Sequence, residues 1–250
     1  MVEPLFIKNF ATAPNVGDEV ILDGDEGKHA ASVRRMRVGE AIALTNGKGL
    51  RVRGSVSNVA PKSLGVTVAS VEHETQPELA ITLIQALAKG DRDELAIQAA
   101  TELGATAVIP WQAERSISRW DEAKAAKGKV RWQVICDEAA KQSLRSFMPQ
   151  VADIVSSKQL AGMVSNFDKV LVLDPTAAIG IASLGSVSGS IAIVVGPEGG
   201  IDESELTLLE QAGAQRVRLG ESILRTSTAG VVAIAALQAA AGYFNSFKRN

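Results

Sequence analysis

Past residue 78 the chain alternates short, nearly unbroken apolar runs with helix-length stretches closed by glycine, and few folds accept that rhythm. Ile81–Ala88, Lys169–Leu173 and Ile191–Val195 lack the polar alternation of a half-solvated strand, so each reads as a strand covered on both faces. Thr106–Pro110 and Arg216–Leu219 read as two more strands. Between them lie predicted helices. Asp91–Leu103 has Asp91 as candidate N-cap, Glu94 at N3 and Gly104 just past its end. Asp121–Gln142 is long; Asp202–Ala212 carries Asp202 and Glu205 as a capping pair and closes at Gly213; Thr228–Phe244 is last. Strands alternating with helices predict an α/β domain, a mainly parallel sheet with helices on both faces.

The first 70 residues have a different character. Glu19–Leu22, Glu40–Thr45, Leu50–Val59 and Gly65–Val71 are β-branched or alternating, and Asn46-Gly47-Lys48-Gly49 is a hairpin turn signal. A short helix is expected over Gly27–Met36. This predicts a small β-barrel or β-rich module. The polar, proline-bearing stretch Glu72–Glu78 is the expected linker, giving domains 1–73 and 78–250.

Composition narrows the function classes. With 250 residues and 46% hydrophobic content there is enough apolar material for a real core. A net charge of -2 excludes a protein that is basic all over, though not a local basic face. The single cysteine, Cys136, and two histidines, His29 and His73, offer no disulfide and no metal-ligand spacing, so no metal is expected. MVEPLFIKNF lacks the features of a signal peptide, which makes the cytoplasm the default compartment. Ser227–Phe247 holds no charge, but it is alanine-rich, carries polar groups and has too short an apolar part to span a bilayer. Burial in a core or a subunit interface is the simpler expectation, without membrane.

Ligands of open α/β sheets bind beyond the carboxyl ends of the strands. Three segments should lie there: Leu173-Asp174-Pro175, Val195-Gly196-Pro197-Glu198-Gly199-Gly200, and Leu219 through Thr226. Three glycines around a proline make a rigid backbone that can approach a ligand closely, yet a tight strand-to-helix turn uses the same residues. The loop lacks the Gly-Lys-Ser/Thr of a phosphate loop, and Glu198 would repel a polyanion. In the second loop Ile223 and Leu224 are apolar residues that need cover. Thr226, Ser227 and Thr228 fit N-capping; Arg225 does not, because a cation opposes a helix N-terminus. Glu198 or an RNA phosphate is its expected partner.

Cations cluster elsewhere. From Arg34 to Arg53 there are six (Arg34, Arg35, Arg37, Lys48, Arg51, Arg53) against one acid, Glu40, and Lys89, Arg92, Arg115, Arg119, Lys141 and Arg145 lie near predicted element ends. In an acidic protein the first cluster favours a nucleic-acid surface, with Arg34, Arg35, Arg37, Lys89, Arg92, Arg115, Lys141 and Arg145 as candidate RNA contacts.

HAASVRRMRVGE from His29, QALAKGDRDELAIQAATELG from Gln85, the Glu-Arg pair within Ile109–Ser116, EAAKQSLRSFMP from Glu138, VVGPEGGIDESEL and LGESILRTSTA follow one another along nearly the whole chain. Together they resemble the RsmE family, the bacterial 16S ribosomal RNA (uracil-N3)-methyltransferases of the knotted SPOUT superfamily. The resemblance implies a PUA-like RNA-binding barrel before a trefoil-knotted domain, a homodimer, S-adenosylmethionine as methyl donor, and N3 of a uridine in the decoding region of 16S rRNA of the 30S subunit as acceptor. It implies donor contacts from Leu173, Val195, Gly196, Glu198, Gly199, Gly200, Leu219, Gly220, Ser222, Ile223, Leu224, Thr226, Thr228 and Ala229. Arg225, Thr228 and Glu198 are the candidate catalytic residues, with Glu198 orienting Arg225 or acting as a base. Asp174 stands where relatives often carry histidine, and Leu144 lies in the less regular part of the EAAKQ segment. The alternatives are an assembly factor with a vestigial donor site and a knotted methyltransferase acting on another RNA.

Overall fold

The computed structural model describes residues 2–245. Contacts divide them into two units: those up to Gln76 with Ala140–Met148, and Pro77–Ala139 with those from Pro149 onward.

The first unit is a five-stranded sheet of β1 (Leu5–Ile7), β2 (Glu19–Leu22), β3 (Ala41–Thr45), β4 (Leu50–Ala60) and β5 (Ser63–His73), ordered β1-β3-β4-β5-β2. β1 runs parallel to β3 and the other pairs are antiparallel. The turn between β3 and β4 forms because the Asn46 side chain accepts the Lys48 and Leu50 amides at 2.8 and 3.1 Å, replacing backbone partners. Leu22, Ile42, Leu44, Val52, Val56, Leu64 and Val66 form its buried core. The helix expected over Gly27–Met36 is instead α1 (Gly24–Lys28) running into a π-helical turn at His29–Val33, and the chain then leaves helical geometry at Arg35, where φ is 55°. Ala140–Met148 belongs to this unit: Thr45 donates to the Ser146 carbonyl at 3.0 Å and Arg51 to the Leu144 carbonyl at 2.6 Å.

The second unit contains β6 (Leu79–Ala86), α2 (Arg92–Glu102), β7 (Ala107–Gln112), α3 (Glu122–Gln142, whose last residues fall in the first unit), β8 (Gln150–Val151), β9 (Val155–Ser156), α4 (Ser157–Met163), β10 (Lys169–Leu173), β11 (Gly189–Val195), α5 (Glu203–Gln211), β12 (Gln215–Val217) and α6 (Thr226–Ala240). The strands form one parallel sheet ordered β12-β10-β11-β6-β7-β8, with β9 also on β7. Strand pleating sends alternate side chains to opposite layers. Leu83, Leu171 and Ile193 pack with residues of α2, α3 and α6, while Ile84, Val172 and Val194 pack with residues of α4 and α5. The unbroken apolar runs are thus strands buried on both faces, as the α/β reading requires.

Two caps turned out differently. Asp202 accepts the Ser204 amide at 3.0 Å and Glu205 accepts the Asp202 amide at 3.2 Å, which is the expected box. Asp91 does not cap: it sits at φ 58° without a side-chain bond, and Asp93 instead accepts the Ala88 and Glu94 amides at 3.0 and 2.9 Å. Glu94 turns away to pair with Arg131. α6 begins at Thr226 and ends at Ala240; Ser246 and Phe247 of the uncharged tail lie outside the described residues. Among the described residues no helix is long and apolar enough to cross a membrane, and no His/Cys/Asp/Glu group could hold a metal ion.

Candidate functional site

β12, β10 and β11 are neighbours, so the segments leaving their carboxyl ends converge. They enclose a cavity of about 490 Å³, within the usual range for small-molecule sites. Leu173, Val195, Val217, Leu219, Leu224 and Ala229 supply apolar wall; Asp174, Glu198, Arg92, Ser222, Arg225 and Thr226 supply polar groups.

The Gly196–Gly200 loop is fastened from several sides. The Gly196 carbonyl accepts the Thr226 hydroxyl at 2.8 Å. Glu198 accepts the Lys89 amide and an Arg92 N–H, both at 3.0 Å. The Gly199 carbonyl faces Arg115 at 3.4 Å, and Arg115 also bridges to Asp202 at 2.8 Å. The Gly200 amide closes a turn onto the Pro197 carbonyl at 2.9 Å, with Gly200 at φ 73°, a conformation L side chains avoid. Burial pushes the Glu198 carboxyl up, but its backbone amide, the Lys89 amide and the Arg92 guanidinium together hold it below the usual carboxylate range. Asp174 is balanced in the same way: burial raises it, while the Thr176 amide and Arg216 win and keep it low. Arg216 reaches Asp174 at 2.6 Å.

The second loop is scarcely fastened at all. Residues 219–224 make no hydrogen bond among the described residues, and Ile223 is 80% exposed. Arg218 holds the start of the loop by donating to the Ala177 and Ala178 carbonyls at 2.7 and 2.6 Å. Thr226, 6% exposed, holds its end. Arg225 is exposed and has no ion pair among the described residues.

A family model described as an RNA methyltransferase domain matches residues 75–238, and one described as an RNA methyltransferase PUA domain matches residues 22–68. The ribosomal RNA small subunit methyltransferase E of Mycobacterium tuberculosis is 41% identical over 242 residues, covering 95% of this chain and 92% of its own length. The chain belongs to this family. Among solved structures, the Neisseria gonorrhoeae ribosomal RNA small subunit methyltransferase E bound to S-adenosyl methionine is 35% identical with TM-score 0.84, covering 95% of this chain and 98% of that one. A Legionella pneumophila methyltransferase, described as putative and in complex with the bound cofactor SAM, reaches TM-score 0.87 at 30% identity, covering 96% and 98%. The protein is an RNA methyltransferase with a PUA-like N-terminal domain and an α/β domain of parallel strands.

Most of the residues expected from the sequence line this cavity: Leu173, Val195, Gly196, Glu198, Gly200, Leu219, Gly220, Ser222, Ile223, Leu224, Arg225, Thr226 and Ala229. Gly199 and Thr228 do not. Gly199 packs against Arg115, and Thr228 is exposed, its amide bonded to the Arg225 carbonyl at 2.9 Å. The expected Glu198–Arg225 pair does not form; Glu198 pairs with Arg92 instead. The cations also sort differently. Arg34, Arg35 and Arg37 are exposed, but Arg51 pairs with Glu74, and Arg53 with Glu3 and Glu72. Arg92 is cavity wall, Arg115 braces the glycine loop, and Lys89 is exposed. Lys141 is 5% exposed and bonded to Glu26 at 2.6 Å, which removes it from any outer surface; Arg145 is half-buried. Asp174 lines the cavity within its expected segment, but its pairing with Arg216, and Gln85 beneath Thr226, were not foreseen. A lone amide side chain inside the apolar run Ile81–Ala88 was the available signal for Gln85.

Proposed function

We propose that the protein methylates N3 of a uridine in 16S rRNA of the small ribosomal subunit, with S-adenosylmethionine as donor. The observation that carries this is one cavity formed by both signature loops at adjacent strand ends in a chain of this family. Its size and apolar walls suit a nucleoside, and the loop carbonyls and amides suit the polar edges of one. When bound, the donor supplies a methyl group on an electrophilic sulfonium.

The chain's own work is positioning and charge. As N3 of uracil gives up its proton to solvent water or hydroxide, negative charge spreads over N3 and the two ring oxygens, and a free cation beside them stabilises it until N3 takes the methyl group and the thioether of the spent donor leaves. Arg225 is that cation, since among the described residues no acceptor neutralises it. Glu198, already occupied by Lys89 and Arg92 and held at low pKa, orders the loops and is a poor proton acceptor. Arg34, Arg35 and Arg37 contact RNA phosphates; reversing Arg34 and Arg35 to Glu should flatten the salt dependence of binding, and an unaltered slope removes that surface.

We also infer a trefoil knot and a homodimer. The path from edge strand β12 past β10 and β11 to α6, which contacts β11 and β6, supports threading; a crystal structure with residues 219–240 passing outside the 174–188 segment would exclude it. The exposed Val232, Tyr243 and Phe244 on or after α6 support self-association, and a monomeric mass by light scattering would exclude it. The function itself is tested by mapping modified nucleosides in 16S rRNA from a deletion strain. Loss of N3-methyluridine is expected; an unchanged nucleoside profile overturns the assignment.

A further inference from the structure

Gln85 occupies the carboxyl end of β6, paired in register with Val195 of β11 on one side and Pro110 of β7 on the other. It shares a face of the strand with Leu83, the face covered by α2 and α6, and it is wholly buried. Its Nε2 donates to Thr226 Oγ1 at 2.9 Å and to the Ala86 carbonyl at 3.1 Å. The second contact fixes the orientation of the amide, because the flipped form would set two acceptor oxygens against each other. The Thr226 hydroxyl, accepting a hydrogen bond from Gln85, donates its own to the Gly196 carbonyl at 2.8 Å.

The helix makes this reach possible. Thr226 and Gly230 lie one turn apart on the same face of α6. A Cβ at Gly230 would stand 2.8 Å from Leu83 Cδ1 and 3.2 Å from Val195 Cγ2, so the glycine lets α6 settle close against β6 and β11. That approach brings Thr226 down to Gln85.

Gln85 achieves this at a cost to the fold. Its Oε1 is buried with no partner among the described residues, and an unsatisfied buried acceptor destabilises where a methionine of similar volume would not. A residue that costs stability while joining both ligand loops is explained by the site.

We propose that Gln85 is a positioning residue for the donor site: its amide N–H orients the Thr226 hydroxyl onto the Gly196 carbonyl, locking the start of α6 to the glycine loop in the geometry the donor needs. The inference rests on the methyl-donor reading above. Its reach is affinity for the donor rather than chemistry on the acceptor, since Gln85 does not line the cavity.

The test is calorimetric titration of the full-length protein with S-adenosylmethionine, wild type beside Gln85→Met, together with melting temperature and turnover on small subunits. Expected is a melting temperature equal to or above wild type, a roughly tenfold weaker Kd and KM for the donor, and little change in kcat at saturating donor. Wild-type binding with an equal Kd in the variant overturns this inference alone. Absence of binding by the wild type overturns the donor reading and this inference with it. Gln85→Glu covers the case in which the methionine chain does not fold. Its ionised carboxylate can only accept, drawing the Thr226 proton away from Gly196, whereas the protonated acid can donate. Donor affinity of Gln85→Glu should therefore improve as pH falls, relative to wild type at each pH; parallel pH profiles overturn the proposal.

Discussion

The two loops that face each other across the cavity are built in opposite ways. The Gly196–Gly200 loop has its carbonyls and its carboxylate tied to Thr226, Arg115, Lys89 and Arg92, residues that come from three other parts of the unit. Among the described residues, 219–224 have no such ties, Ile223 stands in solvent and Arg225 has no ion pair. A fastened loop presents a fixed pattern of backbone groups, which suits recognition of one constant ligand. A loose loop ending in a free cation can adjust to an approaching substrate and place charge where the reaction creates it. The comparison therefore assigns polar recognition of the donor to the first loop, and to the second an apolar cover over the donor together with the charge that sets the rate.

The sharpest way to break that division is Arg225→Ala. Removing a cation that acts only on developing charge should lower kcat by about 10²–10³-fold with donor affinity nearly unchanged. Equal losses in kcat and donor affinity, or no loss in either, would return Arg225 to the role of a surface residue. The pH profile tests the same point from the other side. A carboxylate with depressed pKa, such as Glu198 or Asp174, would be ionised throughout the range above about pH 5, so a carboxylate base predicts a flat rate there. Uracil deprotonation assisted by Arg225 predicts a rate that climbs with pH through neutrality. A plateau from pH 5 upward would reinstate the carboxylate.

Glu198→Ala acts on the fastened loop. It frees the Lys89 amide and leaves Arg92 without its partner, so the two loops it joins gain freedom that ligand binding must remove. Donor affinity should fall about tenfold, the equivalent of one or two charge-assisted hydrogen bonds after discounting for the exposure of Arg92, with kcat falling less. If kcat falls by orders of magnitude while affinity holds, Glu198 is chemical and the division fails.

How far the sequence could carry these conclusions depends on the range of the interaction concerned. β2 spans its predicted residues, the Asp202–Glu205 box forms, and the Asn46 turn closes, because each is decided within a few residues. The convergence of the two loops was legible too, since parallel strands put successive carboxyl ends on one side. The partners of charged groups were not. Glu198 and Arg225 looked like a pair by sign alone, but the choice of Arg92 depends on residues 106 positions apart meeting in space. Lys141 looked like a surface cation on a helix end, yet Glu26 lies 115 positions away and buries it. Ala140–Met148 likewise joins the first unit through Thr45 and Arg51, contacts with no local signature. Asp91 failed as a cap because Asp93, two residues on, reached the amides first.

The smallest effect is expected at Ile223, and it probes the loose loop where the comparison is most exposed to failure. An isoleucine that is 80% in solvent contributes little to the fold, so Ile223→Ala should leave the melting temperature unchanged. Ile223 nevertheless lines the cavity, so a ligand that draws the loop inward covers part of it. Drying about one methylene's worth of surface is worth about 0.8 kcal/mol, so donor affinity should weaken roughly fourfold. A fall in melting temperature would mean that the side chain is already packed and the loop is not loose. Unchanged affinity would mean that the loop stays open over the bound donor, leaving the fastened loop to recognise it alone.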